Sequence, residues 1–277
     1  MDGFVDVTGS SNKWIADINH YTMGISVKPF NGDYGVLGFT LQYVDYGTFI
    51  GTVVDKSVEQ GYRETGLFKL NSRALGVGYA KELTDQFSVG GQIRMAWQDL
   101  GESTIPNTSP IPVMDSTGTI ISYTDTTRSA SNKLNPLVFD FGTQFRTGIK
   151  SLVFGMSIRN FSQDMQYVYE SFQLPLTFTL GISMNLLDLA NMDPKKQSLL
   201  LCVDASHYRD HAEQIKIGME YKLFNAVALR GGYISNNDES SFSYGIGLSQ
   251  YGFTIDYSYT PFGIFDNVQR FTTRFSF

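Results

Sequence analysis

The chain of 277 residues carries a single cysteine, Cys202. An internal disulfide and a cysteine metal cluster are thereby excluded. No run of about 20 apolar residues occurs, so no helix can cross a bilayer. Charged residues make up only 17%, below the roughly 25% of soluble domains. The net charge is −6 and no Lys/Arg run exists, which argues against nucleic acid as a partner. There is no G-x-S-x-G elbow and no P-loop, and a Ser/His/Asp set cannot be placed, so no catalytic residue and no cofactor are expected. Histidine is scarce too: His20, His207 and His211. His207 and His211 stand four apart with Asp204 and Asp210 nearby, a spacing that suits zinc on a helix. Here it falls on a strand end and a polar turn, so no metal is expected. Met1 is followed by Asp-Gly-Phe-Val rather than by a basic segment and an apolar core. A signal peptide is not read in this stretch, and an exported protein would have its native start upstream, this chain being a mature or truncated form.

What the chain does hold is aromatic and glycine residues in a period of two. Aromatics reach 14%, with 21 Phe and 16 Tyr beside 27 Gly, yet the mean hydropathy is only −0.13. The last eleven residues alternate to the end. Gln269, Phe271, Thr273, Phe275 and Phe277 fall on one face, and Val268, Arg270, Thr272, Arg274 and Ser276 on the other. A soluble strand ending so would expose a sticky edge, whereas in a closed membrane barrel the terminal strand pairs with the first and its aromatics meet lipid. Phe271, Phe275 and Phe277 therefore mark a barrel-insertion strand. Tyr251–Thr260, Ser241–Ser249, Gln214–Lys222, Pro175–Asn185 and Phe87–Gln98 alternate in the same way, and helical spacing fits none of them.

A soluble sandwich also alternates, but its strands average about five or six residues. Many segments here run nine or more, near the 9–11 needed to cross a bilayer at a tilt. The pattern implies an all-β chain forming one transmembrane antiparallel barrel over residues 1–277, of about 14 strands, in a bacterial outer membrane, with lipids as its surroundings. Turn residues at Asn31-Gly32-Asp33, Glu82-Leu83-Thr84-Asp85, Thr147-Gly148-Ile149-Lys150 and Leu223-Phe224-Asn225 mark tight connections. Longer excursions fall between them: Val54–Gly66, Leu100–Asn135 and Phe161–Leu174. The Ser/Thr/Asp-rich Leu100–Asn135 reads as a surface loop, and alternatively as a cap or partner contact. Leu186–Lys196 reads as a packed loop or a short amphipathic helix on the short-turn side. Tyr167, Tyr169, Tyr233, Tyr259 and Phe262 are expected in interfacial girdles.

Charge on the lipid face costs about 2–4 kcal/mol for Arg or Lys at mid-bilayer. The charges of the strands therefore belong inside: Arg94, Asp140, Arg146, Arg159, Asp204, Lys216, Glu220, Lys222, Arg230, Asp256, Arg270 and Arg274. Arg230, Arg270 and Arg274, with Asp256, lie on nearby strands and form the leading lumen cluster. It reads either as a salt-bridged lining or as an anion-favouring passage or ligand-head clamp.

Several stretches resemble the PorV/PorQ family. Ser11-Asn12-Lys13-Trp14-Ile15-Ala16-Asp17-Ile18 is similar to its early signature, with Lys13, Trp14 and Asp17 as the carrying residues. Tyr79-Ala80-Lys81-Glu82-Leu83-Thr84-Asp85-Gln86-Phe87-Ser88, Phe139-Asp140-Phe141-Gly142, Ile158-Arg159-Asn160-Phe161, Leu174-Pro175-Leu176 and Asn267-Val268-Gln269-Arg270-Phe271 follow in order. The resemblance implies a FadL-like fourteen-stranded barrel in the outer membrane of Bacteroidota-type bacteria; the missing catalytic motifs already argue against an enzyme. The resemblance also implies an accessory or cargo-interaction role in type IX secretion, with secretion components or cargo domains meeting the outer loops. The alternative is a FadL-like passive channel for a hydrophobic small molecule. A general porin is the third reading.

Overall fold

The computed structural model describes residues 3–55, 58–106, 111–124, 127–167, 170–237, 240–265 and 267–277. Nineteen strands lie among the described residues: β1 (Val5–Lys13), β2 (Asn19–Val27), β3 (Val36–Val54), β4 (Tyr62–Thr84), β5 (Phe87–Pro106), β6 (Ile111–Met114), β7 (Ile120–Thr124), β8 (Thr127–Leu134), β9 (Leu137–Arg146), β10 (Val153–Ser162), β11 (Met165–Gln166), β12 (Ser171–Phe172), β13 (Thr177–Asn185), β14 (Gln197–Tyr208), β15 (Gln214–Leu223), β16 (Val227–Ile234), β17 (Phe242–Gln250), β18 (Phe253–Thr260) and β19 (Val268–Ser276). Fourteen of them form one antiparallel ring. It runs β1 to β5, then β9, β10 and β13 to β19. The ring shuts because β19 pairs with β1, from Asp6 opposite Ser276 to Lys13 opposite Gln269. Val5 and Phe277 exchange both backbone bonds, at 2.9 and 3.0 Å. Among the described residues no helix is long and apolar enough to cross a membrane.

The packing is inside out relative to a soluble domain. Following cross-strand partners around the ring, Asp256 faces Thr272, which faces Ser10, then Thr22, Gln42 and Ala74. This small and polar set is the inner face. The alternate residues point outward and stay exposed, among them Phe39 (50%), Val77 (53%) and Leu180 (50%). In water such a continuous apolar belt would drive aggregation; in a bilayer it meets acyl chains. Phe271, Phe275 and Phe277 belong to this outer face, 48%, 44% and 60% exposed. The few buried residues face inward, and polar Asp6, Asn12, Ser206 and Ser240 are among them.

Connections alternate in length. Tyr251 and Gly252 suffice between β17 and β18, where Gly252 adopts φ +80°, a region that glycine enters without strain. At the opposite, outer end lie the excursions. Three findings there depart from the expected loops. The segment Leu100–Asn135 is largely strand: β5 runs on to Pro106, β8 pairs back onto it, and β6 and β7 make a separate hairpin. Strand β4 likewise begins at Tyr62, inside the expected excursion Val54–Gly66, and pairs with β3 as far as Val54, beyond a register shift at Asp45/Thr48. These extensions rise above the bilayer, where neither face has to be apolar, so the hydropathy alternation that betrays a buried strand is missing. Finally, Phe161–Leu174 carries the short hairpin β11–β12. On the short-turn side, Leu186–Ala190 forms a 3-10 turn whose Leu187 N–H donates to the Asn185 side chain at 3.3 Å.

Candidate functional site in the barrel lumen

The hairpin β11–β12 folds inward at the outer mouth. Met165 is 9% exposed, and burial of such a side chain contributes roughly 1.5–3 kcal/mol. The Tyr167 hydroxyl donates to Gln98 Oε1 at 2.7 Å, and its ring stacks on Phe172 with centroids 5.3 Å apart. Burial, and secondarily the nearby Tyr46, push the Tyr167 phenol above its ordinary range. Tyr167 is thus a lumen residue rather than part of an interfacial girdle. Tyr169 lies outside the described residues. Phe262 also leaves the girdle, packing against Trp14 at 5.4 Å beside the mouth, while Tyr233 stays on the outer face, 40% exposed.

Beneath the hairpin is a chamber of about 270 Å³. Its apolar walls come from Val44, Leu134, Val138, Met165, Phe172 and Leu174. Arg94 stands at its edge, held in place by three bonds of one cluster. Its Nη2 donates to Asp140 Oδ1 at 2.9 Å and to Asn160 Oδ1 at 2.8 Å, and the Asn160 N–H donates to Asp140 Oδ1 at 2.8 Å. The Arg94 Nε is buried without a partner among the described residues. Asn160 reaches inward because β10 bulges between Ile158 and Phe161, with Asn160 at φ +62°. The β10–β13 ladder stops at Arg159 opposite Thr177. Beyond it the Asn160 side chain donates to the Pro175 carbonyl at 3.2 Å. Pro175 has no N–H to continue the ladder.

A second cluster sits on the opposite wall. Arg230 Nε donates to Glu220 Oε2 at 2.6 Å and Nη1 to Asp256 Oδ1 at 2.5 Å. Lys222 Nζ lies 3.4 Å from Glu220 Oε1. Glu220 is the direct cross-strand partner of Arg230, but Asp256 lies beyond β17. The guanidinium crosses β17 over Gly247, where an added Cβ would fall 2.9 Å from Arg230 Nη1. Of the four residues expected to cluster, Arg230 and Asp256 meet. Arg274 instead donates from Nε to Asp6 Oδ2 at 2.7 Å across the closing seam. Arg270 has no ion pair among the described residues. Asp6 was not singled out in the sequence, although its alternation with Thr8, Ser10 and Asn12 places it on the inner face. Lys13 and Asp17 form an exposed ion pair at 3.5 Å in the β1–β2 connection. Trp14 between them turns toward Phe262 and His20.

His207 Nδ1 lies 3.2 Å from Glu213 Oε1, and His211 sits edge-on to Tyr208 at 6.4 Å. Among the described residues no group of three His, Cys, Asp or Glu side chains could hold a metal ion.

No family model and no curated protein sequence matches the chain. Solved structures do. The CymD monoaromatic hydrocarbon channel superposes with a TM-score of 0.58 at 11% identity, over 100% of this chain and 89% of that one. The Pseudomonas putida toluene transporter TodX gives 0.55 at 12% identity, over 98% and 86%. A Pseudomonas aeruginosa FadL homologue gives 0.53 at 11% identity, over 99% and 89%. At such identities the likeness is one of fold. The chain has the FadL-like outer-membrane barrel fold.

Proposed function

We propose that the protein is a passive outer-membrane channel for neutral or weakly polar hydrophobic small molecules. The observation that carries this is the apolar chamber under β11–β12, because an aqueous pore would not fold a methionine and two aromatic rings into its mouth. A ligand entering from outside would exchange water for Val138, Met165 and Leu174. Its size is bounded by a chamber of about 270 Å³, slightly below the usual 300–1,000 Å³ of small-molecule pockets. The chamber adjoins the place where the β10–β13 ladder ends, so a ligand could leave sideways between strands bridged there by the Asn160–Pro175 side-chain bond. The resemblance of CymD and TodX, whose names record hydrocarbon and toluene transport, supports this reading at the level of fold.

The test is accumulation of radiolabelled toluene by bacteria whose outer membrane carries the protein. Met165→Asp, which places a charge in the chamber, should reduce accumulation at least tenfold while the folded barrel remains at wild-type abundance. Equal accumulation by the two proteins would remove the chamber from the transport path.

A role beside a protein-secretion machine rests on the PorV/PorQ resemblance alone. Its natural docking surface would be the outer sheet of β3, β4, β5 and β8. Recovery of the barrel alone after pull-down from native membranes would sink it.

A further inference from the structure

A second cavity opens at the outer mouth, across the lumen from the apolar chamber. It holds about 310 Å³ and is built from the outer ends of β1 and β16 to β19. Arg270, Ser243 and Ser258 line both this cavity and a deeper one of about 420 Å³ that contains the Arg230 cluster. Arg270 therefore stands where the two meet. Its behaviour differs from that of the other arginines of this wall. Arg230 is closed off by two carboxylates and Arg274 bonds to Asp6, whereas Arg270 has no carboxylate partner among the described residues. Directly opposite in register is Asn12, 8% exposed, whose Oδ1 is buried without a hydrogen-bond partner among the described residues. Among the described residues the cavity thus offers, side by side, an exposed guanidinium with no carboxylate partner and a buried acceptor with no donor. Burial of an unpaired polar group is unfavourable, and binding of a complementary group relieves it. Its upper wall is aromatic, with Trp14 edge-on to Phe262 at 5.4 Å.

We propose that this cavity is a binding site for small hydroxylated aromatic carboxylates, distinct from the chamber for neutral hydrophobic molecules. The carboxylate takes the Arg270 guanidinium, whose fork of donors matches it. The ring lies under Trp14 and Phe262, and a hydroxyl on the ligand donates to Asn12 Oδ1. The serine hydroxyls of the shared wall replace lost water. The ligand class follows from the wall alone, so this site stands or falls independently of toluene transport.

Isothermal titration calorimetry of the detergent-solubilised barrel with 4-hydroxybenzoate tests it, with benzoate and 4-hydroxybenzyl alcohol as comparators. The wild type should bind 4-hydroxybenzoate saturably, benzoate several-fold more weakly, and the alcohol at least tenfold more weakly. Arg270→Gln should weaken 4-hydroxybenzoate at least tenfold, and Arg270→Lys should restore part of the loss. Asn12→Leu should erase the difference between 4-hydroxybenzoate and benzoate while benzoate still binds. Heat-modifiable electrophoretic mobility confirms that each variant is a closed barrel. The proposal is overturned by absence of saturable binding to the wild type, by unchanged affinity in Arg270→Gln, or by equal binding of the neutral alcohol.

Discussion

The two sides of this barrel are built differently. From β14 round to β1, each ladder runs without a register shift. From β3 to β10 the ladders slip repeatedly, at Asp45/Thr48, Gly51/Thr52, Glu82/Thr84, Asp99/Glu102 and Ile158/Phe161. The regular side makes its cavities from the wall itself, by alternating glycine with long side chains. The irregular side makes its chamber from a segment that leaves the wall and folds back. A bulge is what turns Asn160 inward to hold Arg94, and the end of a ladder is what frees the chain to form β11–β12. Irregularity here marks the place where a closed cylinder acquires a lid.

Two substitutions separate these designs most sharply. On the irregular side, Arg94→Leu leaves Asp140 and Asn160 facing the lumen without their cation. Both Arg94 and Asp140 are 15% exposed, so the loss should approach the range for breaking a buried pair, about 3 kcal/mol. Urea unfolding from lipid vesicles reads it, and the β10 bulge should loosen with it. On the regular side, Gly247→Val should cost less, roughly 1–3 kcal/mol. The added side chain blocks the path of Arg230 to Asp256, but Arg230 keeps Glu220 on its own neighbouring strand. If Gly247→Val proves the more destabilising, the regular wall depends on its charge network more than on its ladders, and the contrast drawn between the two sides fails.

Legibility in the sequence followed the same division. The strands of the regular side are legible because every second residue must face lipid: Tyr251, Phe253, Ile255, Tyr257 and Tyr259 can be read as a stripe with no knowledge of their partners. The extensions of β4 and β5 and the whole of β8 were hidden, since outside the bilayer Ser, Thr and Lys serve on either face. The inward placement of the charges was likewise legible, but their pairing was not. Alternation says that Arg230, Arg270 and Arg274 share a face. Which of them finds a carboxylate depends on register and on a glycine at position 247 that lets one side chain cross a strand. Tyr167 and Phe262 were misplaced for a related reason. An aromatic near a strand end looks like an interfacial anchor until the backbone turns it into the mouth.

The smallest effect concerns how the two sides hold their outer connections. The hairpin β11–β12 is held by apolar burial and by the neutral Tyr167–Gln98 hydrogen bond, whereas the short connection after β14 carries the His207–Glu213 pair. Glu213 bonds to its own backbone N–H and then to His207, and these hold its carboxyl below the ordinary carboxylate range. A carboxyl whose folded value is depressed contributes its stabilisation above the unfolded value, about 4.3, and loses it as pH falls through the folded one. Amide hydrogen exchange in residues 209–214, corrected for the intrinsic rate, should therefore quicken as pH falls below about 4.3. The amides of β11 and β12 should not respond over the same window. Glu213→Gln should show the faster exchange already at pH 6, with no further change on acidification. An equal acid response of both connections would mean that the hairpin, too, is fastened by carboxylates, and the apolar account of the lid would have to be given up.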